Sequence, residues 1–249
     1  MKCTGNYPTG RTFSSILKAC GSLRLSHKRK EIHIAIVLDG LLEKDIVLGT
    51  ALMDMYVRCG ELWMAQKVFD ELQLRNVVTW TALIAGYCEY WHFDDALNYF
   101  QWMECEGVCP NMVTYAHVLQ ACGSIGAAEK GEEIYFRIVK EGLLKKSSMV
   151  RNLVVNMYAK CGALTKAQEV FDELYIKDVV SWTTLITGYS QIRKHGIAFH
   201  LFNKMRSMGI APNPVTFLVI LNACSCSWLV NQGETYYESM RASYGITPA

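Results

Sequence analysis

Proline is scarce, five in 249 residues, and only 19% of the residues are charged. Collagen-like chains need abundant proline, and disordered chains need many charges and few apolar residues, so both classes are excluded. Long apolar runs are also missing. The nearest, Ile32 to Leu42, is broken by His33, Asp39 and Gly40 and falls short of the roughly 18 residues that a membrane span requires. No membrane partner is expected. Charge of one sign is lacking too: 25 basic and 23 acidic residues leave +2. Nonspecific nucleic-acid binders draw their affinity from phosphate neutralisation and carry a larger basic excess, so charge is not what would argue for nucleic acid here. The opening MKCTGNYPTGR has neither an apolar core nor an Arg/Ser-rich amphipathic stretch, so no secretory signal or transit peptide is legible.

Cysteine is plentiful, at ten, but the spacings that make metal sites are absent. There is no C-x-x-C, and none of the six histidines begins an H-x-E. Instead Cys20, Cys122 and Cys224 fall 102 residues apart, as do Cys59 and Cys161. Cysteines in register with a repeat read most simply as small buried apolar residues. No metal and no cofactor is expected, and a reducing compartment follows.

What is present is repetition. MYVRCGELWMAQKVFDEL (Met55–Leu72) returns as MYAKCGALTKAQEVFDEL (Met157–Leu174), and VVTWTALIAGY (Val77–Tyr87) returns as VVSWTTLITGY (Val179–Tyr189). TFSSILKACGS at Thr12 returns at Thr114 and again at Thr216, always at an offset of 102. Within that period lie units of 36, 31 and 35 residues. The chain parses as 10–45, 46–76, 77–111, 112–147, 148–178, 179–213 and 214–249, with 1–9 reading as the tail of an earlier unit.

Each unit carries two amphipathic helices. In 77–111 the first shows Trp80, Leu83, Ile84 and Tyr87 at i, i+3, i+4, i+7, and the second shows Phe93, Ala96, Leu97, Phe100 and Met103, each set on one helical face. Gly107 and Pro110 then stop the unit. Unit 179–213 repeats the pattern with Trp182, Leu185, Ile186, Tyr189, Ala198, Leu201, Phe202 and Met205. One hairpin cannot bury both stripes alone, so neighbours must stack. The expected fold is all-α: a right-handed α-solenoid of about seven helix-turn-helix repeats.

Alternating units of 31, 35 and 36 residues differ from tetratricopeptide repeats, which hold to about 34. They resemble the plant pentatricopeptide repeat proteins whose units alternate among P, L and S types. LGTALMDMYVRCGELWMAQKVFDEL resembles an S-type unit, VVTWTALIAGY with MECEGVCPN a P-type, and TYAHVLQACGS an L-type. The order is L, S, P, L, S, P, L over essentially the whole chain, and the last unit is similar to the L-type that usually precedes a C-terminal extension. The parse starting mid-unit and stopping there suggests a fragment or a truncated gene model.

The resemblance implies binding of single-stranded RNA in a plant organelle, one base per repeat. In such proteins the fifth residue and the last residue of a unit specify the base, and the second, usually aliphatic, flanks it. Carried over, Thr50 with Asn76, Thr81 with Asn111 and Thr183 with Asn213 are adenine pairs, and Asn152 with Asp178 is a uracil pair. Ser14 with Asp45 suggests guanine, while Ala116 with Ser147 and Leu218 with Ala249 match no pair and read as spacers. The flanking residues are Val47, Val78, Val113, Met149, Val180 and Val215, with Arg11 departing from the pattern. Arg58 and Lys160 sit where a side chain could reach phosphate.

Local chemistry offers other readings. Thr or Asn near a helix start is often a cap, and Asn or Asp before V-V is often a turn former. The valines could simply pack in the first turn, and Arg58 and Lys160 could be solvated charges. Recurrence of both positions together favours base reading. The resulting expectation is sequence-selective RNA recognition supporting organellar RNA processing or C-to-U editing, with editing or processing proteins as partners. The alternative is a helical-repeat scaffold for protein partners. The zinc-deaminase signatures H-x-E and P-C-x-x-C are absent, so no enzyme is expected; chloroplast or mitochondrion is the expected address.

Overall fold

The computed structural model describes residues 12–13, 15–17, 19, 26–38, 40, 42, 45–143, 148–174 and 176–246. Among these residues the secondary structure is helical, with no strand. The helices are α1 (Ser26–Leu38), α2 (Ile46–Arg58), α3 (Leu62–Glu71), α4 (Val77–Glu89), α5 (Phe93–Cys105), α6 (Met112–Ile125), α7 (Ala128–Lys140), α8 (Ser148–Lys160), α9 (Leu164–Asp172), α10 (Val179–Gln191), α11 (His195–Ser207), α12 (Pro214–Cys226) and α13 (Val230–Tyr244). None of the helices among the described residues is long and apolar enough to cross a membrane.

Contacts divide the chain into two compact units, 1–121 and 122–249. In the first, α2 pairs with α3 and α4 with α5, and the leading helices α2 and α4 also pack on each other. In the second, α8 pairs with α9, α10 with α11 and α12 with α13, while α8, α10 and α12 form a row of leading helices. Each unit is therefore a stack of helical hairpins.

The apolar stripes explain the stacking. Trp80, Leu83, Ile84 and Tyr87 of α4 are buried, as are Phe93, Ala96, Leu97, Phe100 and Met103 of α5. In the second unit Trp182, Leu185 and Ile186 are buried with Ala198, Leu201, Phe202 and Met205. Each leading-helix indole meets the preceding trailing helix edge to face: Phe69 lies 4.6 Å from Trp80 and Phe171 lies 4.7 Å from Trp182, centroid to centroid. That geometry is the favourable one for ring quadrupoles. Tyr189 departs from expectation and is only half-buried. Its counterpart Tyr87 stacks on Tyr99 at 5.0 Å, and the place of Tyr99 is taken by Leu201.

Close approach of leading helices depends on glycine at two related positions. A Cβ on Gly86 would stand 2.7 Å from a Val57 methyl, and one on Gly188 would stand 2.6 Å from a Leu164 methyl and 3.3 Å from the Ala159 Cβ. The turn inside each hairpin needs a left-handed residue. Gly60 and Gly162 fill it at φ +78° and +75°, but Trp91, Arg193 and Trp228 occupy the same place at +66°, +60° and +58°. The recurrent cysteines split in behaviour. Cys122 and Cys224 are buried, and burial pushes the Cys122 thiol up to about 12. Cys59 and Cys161 are only partly buried, because they follow the last turn of α2 and α8, where the helix gives way to the turn.

Candidate nucleic-acid interface

The starts of α2, α4, α6, α10 and α12 are each organised by the residue just before the helix. Asp45, Asn76, Asp178 and Asn213 all stand in extended backbone as N-caps, their side-chain oxygens accepting backbone N–H groups from the first turn; such caps satisfy donors that the helix itself cannot. Asn111 does the same for α6, its Oδ1 taking the Thr114 N–H at 2.9 Å. The capping expectation and the base-reading expectation thus fall on the same side chains. Because the cap requires an acceptor, Oδ1 must face the N–H, and the amide nitrogen Nδ2 is left over.

The second position of each leading helix is exposed. Val47, Val78, Val113, Met149, Val180 and Val215 are 53–66% exposed, so these apolar side chains do not pack in the first turn. Within each unit they stand as apolar walls at matching positions of the leading helices.

The fifth positions differ from one another. Thr81 and Thr183 are 8% exposed. The Thr81 hydroxyl lies 2.7 Å from that of Thr114 on the next leading helix, and the Thr114 hydroxyl donates to Asn111 Oδ1 at 3.1 Å. Likewise Thr183 lies 2.7 Å from Thr216, which donates to Asn213 Oδ1 at 2.9 Å. Both Thr/Asn pairs are thereby brought together through a buried third hydroxyl. Asn152 and Asp178 meet directly, Nδ2 donating to Oδ2 at 2.9 Å. Burial pushes the Asp178 carboxyl up, but hydrogen bonds from the Ser181 backbone, the Asn152 amide and the Ser181 hydroxyl outweigh it and hold the carboxyl below its ordinary range.

Thr50 and Asn76 are not joined in this way. The Thr50 hydroxyl donates to Ile46 O within its own helix at 2.7 Å, as the Thr81 hydroxyl also does to Val77 O at 2.6 Å, and the Thr79 hydroxyl donates to the Asn76 carbonyl at 2.8 Å. Ser14, Arg11, Ser147 and Ala249 lie outside the described residues. Ala116 is half-buried and Leu218 exposed. Arg58 is bound to Asp54 at 2.9 Å, one turn back.

In the second unit the site opens on a groove of about 330 Å³ whose lining includes Val180, Val215, Thr183, Asn213, Lys160 and Gln191. Apolar walls, a polar pair and a cation thus share one concave surface, the composition expected of a site for a planar polar ligand. Thr114 and Thr216 were not among the sequence candidates, although the Asn-x-x-Thr spacing of a capping box marks both. Among the described residues, no cluster of three or more His, Cys, Asp or Glu side chains could hold a metal.

Comparison with known proteins follows this geometry. The PPR repeat family model matches residues 75–124 and 177–226, and the PPR repeat model matches 50–77, 113–143 and 150–178. A pentatricopeptide repeat-containing protein of Arabidopsis thaliana is 33% identical over 249 residues, covering all of this chain and 33% of its own length. The Arabidopsis chloroplastic pentatricopeptide repeat-containing protein CRR2 is 38% identical over 243 residues, 95% of this chain and 37% of its own. A mitochondrial Arabidopsis protein of the same description is 34% identical over 241 residues, 97% of this chain and 37% of its own. The chain thus spans about a third of the length of these relatives. Among solved structures, the pentatricopeptide repeat protein PPR10 in complex with an 18-nt psaJ RNA element superposes with a TM-score of 0.72 at 18% identity, over 98% of this chain and 36% of that one. PPR10 from maize gives 0.60 at 22% identity, over 100% and 41%. These likenesses show an α-solenoid fold of helical hairpins, and on the matched repeats the chain belongs to the pentatricopeptide repeat family.

Proposed function

We propose that this chain binds single-stranded RNA in a sequence-selective manner, one base per repeat. The observation that carries the reading is the groove in which Thr183 and Asn213 share a surface with the exposed Val180 and Val215. An unstacked base offers two apolar faces and one edge of donors and acceptors. Valines suit the faces, and a hydroxyl with a carboxamide suits the edge. The PPR10 complex with RNA supports the same reading. Running the N-terminus toward the 5′ end, the repeats read (G)-A-A-N-U-A-N, with Ser14/Asp45 for G, Thr50/Asn76, Thr81/Asn111 and Thr183/Asn213 for A, and Asn152/Asp178 for U.

The chain acts as a recognition module in organellar RNA processing or C-to-U editing, the chemistry being supplied by protein partners rather than by this chain. The chloroplastic and mitochondrial names of its relatives support the organellar address. With a net charge of +2, affinity is modest and its salt dependence shallow. The test is a binding titration of the tract against one in which every adenine becomes cytosine. Preference for the adenine tract is expected. Equal affinity for both defeats the base-reading proposal, and binding of a helical peptide without RNA would replace it with a protein scaffold.

A further inference from the structure

We propose that hairpin 77–111 of one copy of this chain docks on hairpin 179–213 of a second copy, turn against turn. Glu89, Trp91, Asp94 and Asp95 form one side of the contact, and Arg193 and Lys194 form the other. The net charge of +2 conceals a segregation of sign. Hairpin 77–111 carries Glu89, Asp94, Asp95, Glu104 and Glu106 with no Lys or Arg, whereas hairpin 179–213 carries Arg193, Lys194, Lys204 and Arg206 with no Asp or Glu. The two hairpins stand 102 residues apart, so Trp91 is in register with Arg193 and His92 with Lys194.

Both surfaces are built on the same turn. The Trp91 N–H donates to Cys88 O at 3.2 Å and the His92 N–H to Tyr87 O at 2.9 Å, while the Arg193 and Lys194 N–H groups donate to Ser190 O and Tyr189 O, each at 3.0 Å. Trp91 and Arg193 hold left-handed backbone at φ +66° and +60°, a conformation that Gly60 and Gly162 adopt without strain. Such strain marks a position whose side chain has a use. Within the chain that use is not met. The Trp91 indole meets the Phe93 ring at 5.9 Å yet stays 80% exposed. Arg193 and Lys194 are exposed and form no ion pair among the described residues, because residues 179–233 supply no acid. Glu89, Asp94 and Asp95, which flank Trp91 in the chain, are exposed as well.

An indole rimmed by carboxylates suits a guanidinium: the ring face attracts the cation, and the carboxylates steer and orient it. Ile192 and Ile197, 45% and 40% exposed, add apolar area on the basic side. The same carboxylates repel a polyanion, so the acidic turn is not an RNA surface. A second copy is the occupant that charge complementarity selects, because any solution of this chain contains both surfaces at equal concentration. The contact is small and its charges are exposed, which places it with weak, salt-sensitive associations rather than obligate dimers. Trp228 supplies a contrast. It shares the left-handed backbone, at φ +58°, and is 89% exposed, but Leu229 and Val230 follow it where acids follow Trp91.

Sedimentation velocity on the full chain over a concentration series tests this. Self-association is expected at about 50 mM salt and should weaken at least about tenfold by about 500 mM, as screening shortens the reach of the charges. Trp91→Gly and Arg193→Gly place in each turn the residue that suits it. Each is expected to weaken association about tenfold, and Trp228→Gly to leave it unchanged. Charge exchange is the sharper arm. The variants Glu89→Lys/Asp94→Lys/Asp95→Lys and Arg193→Glu/Lys194→Glu should each stay monomeric alone and associate when mixed, with a melting curve on each reporting folding. Should either fail to fold, the two glycine variants decide alone. A chain that is monomeric at low salt overturns the proposal. So does association that Trp91→Gly and Arg193→Gly leave untouched, or that Trp228→Gly weakens equally. If the chain is monomeric and Arg193→Glu/Lys194→Glu weakens binding of single-stranded RNA, the basic turn serves phosphate and the docking role is wrong.

Discussion

Asn152 donates its amide to the carboxylate of Asp178, 2.9 Å away, tying the middle of one leading helix to the cap of the next. The same carboxylate accepts the Ser181 N–H at 2.8 Å. Its pKa is held below the ordinary carboxylate value, so the unfolded chain binds this proton more tightly than the folded one. The resulting stability is fully present above the unfolded carboxylate range near pH 4 and is lost as pH falls through the lower folded value. Melting curves from pH 7 to pH 3 should show Asp178→Asn losing less stability on acidification than wild type. Identical acid limbs would contradict this. Asp178→Ala should cost about 1 kcal/mol at neutral pH by removing the helix cap.

Two glycines of unit 122–249 should respond in opposite directions to alanine. At Gly188 the new methyl meets Leu164 at 2.6 Å and the Ala159 Cβ at 3.3 Å, so Gly188→Ala should destabilise by about 1–3 kcal/mol through overpacking. At Gly196, in the first turn of α11, nothing lies within 4 Å, and Gly196→Ala should stabilise by up to about 1 kcal/mol. Urea denaturation of both variants checks the pair; a stabilised Gly188→Ala would mean that α8 and α10 do not approach as closely as described.

Arg193 holds a left-handed backbone at φ +60° in an exposed turn. Its N–H bonds Ser190 O at 3.0 Å and the next N–H bonds Tyr189 O at 3.0 Å, a helix-ending arrangement that glycine usually supplies. An L-residue there pays about 1–2 kcal/mol. Arg193→Gly should therefore raise the melting temperature by about 2–4 °C. A fall in melting temperature would show that the arginine stem contributes more than the strain costs.

The exposed valine row separates folding from binding. Val180 is more than half exposed, so Val180→Asp should leave stability within about 0.5 kcal/mol. On the RNA-binding proposal it would replace an apolar wall with an anion facing a polyanion, and tract affinity should drop at least about tenfold. Filter binding and a melting curve on the same preparation decide the matter. Undiminished affinity would remove Val180 from the interface.

Much of the fold was legible because its determinants are local. The stripe Trp80, Leu83, Ile84, Tyr87 recurs at helical spacing, and those residues are the buried ones. Gly107, read as a stop, does stand at φ +74°, and its counterpart Gly209 stands at +75°. Trp91 and Trp228 gave no such signal, since nothing in a tryptophan announces a left-handed turn; only their register with Gly60 and Gly162 could have done so. At the site, the family resemblance pointed to the second-position valines and local chemistry to the caps, but neither pointed to the wiring between them. Thr81 and Thr114 are 33 residues apart, and their contact exists only once two hairpins have stacked. For the same reason nothing in the sequence distinguishes Thr50/Asn76, which stays unbridged, from Thr183/Asn213, which does not.

The Thr183–Thr216 contact also bears on how such arrays can be rearranged. A hairpin excised after Asn213 and grafted elsewhere would leave its third hydroxyl behind and borrow whatever the new neighbour offers. The portable cassette therefore overlaps its neighbour and ends after Thr216, so recombination that respects the helix boundary alone would shuffle halves of a site rather than whole ones.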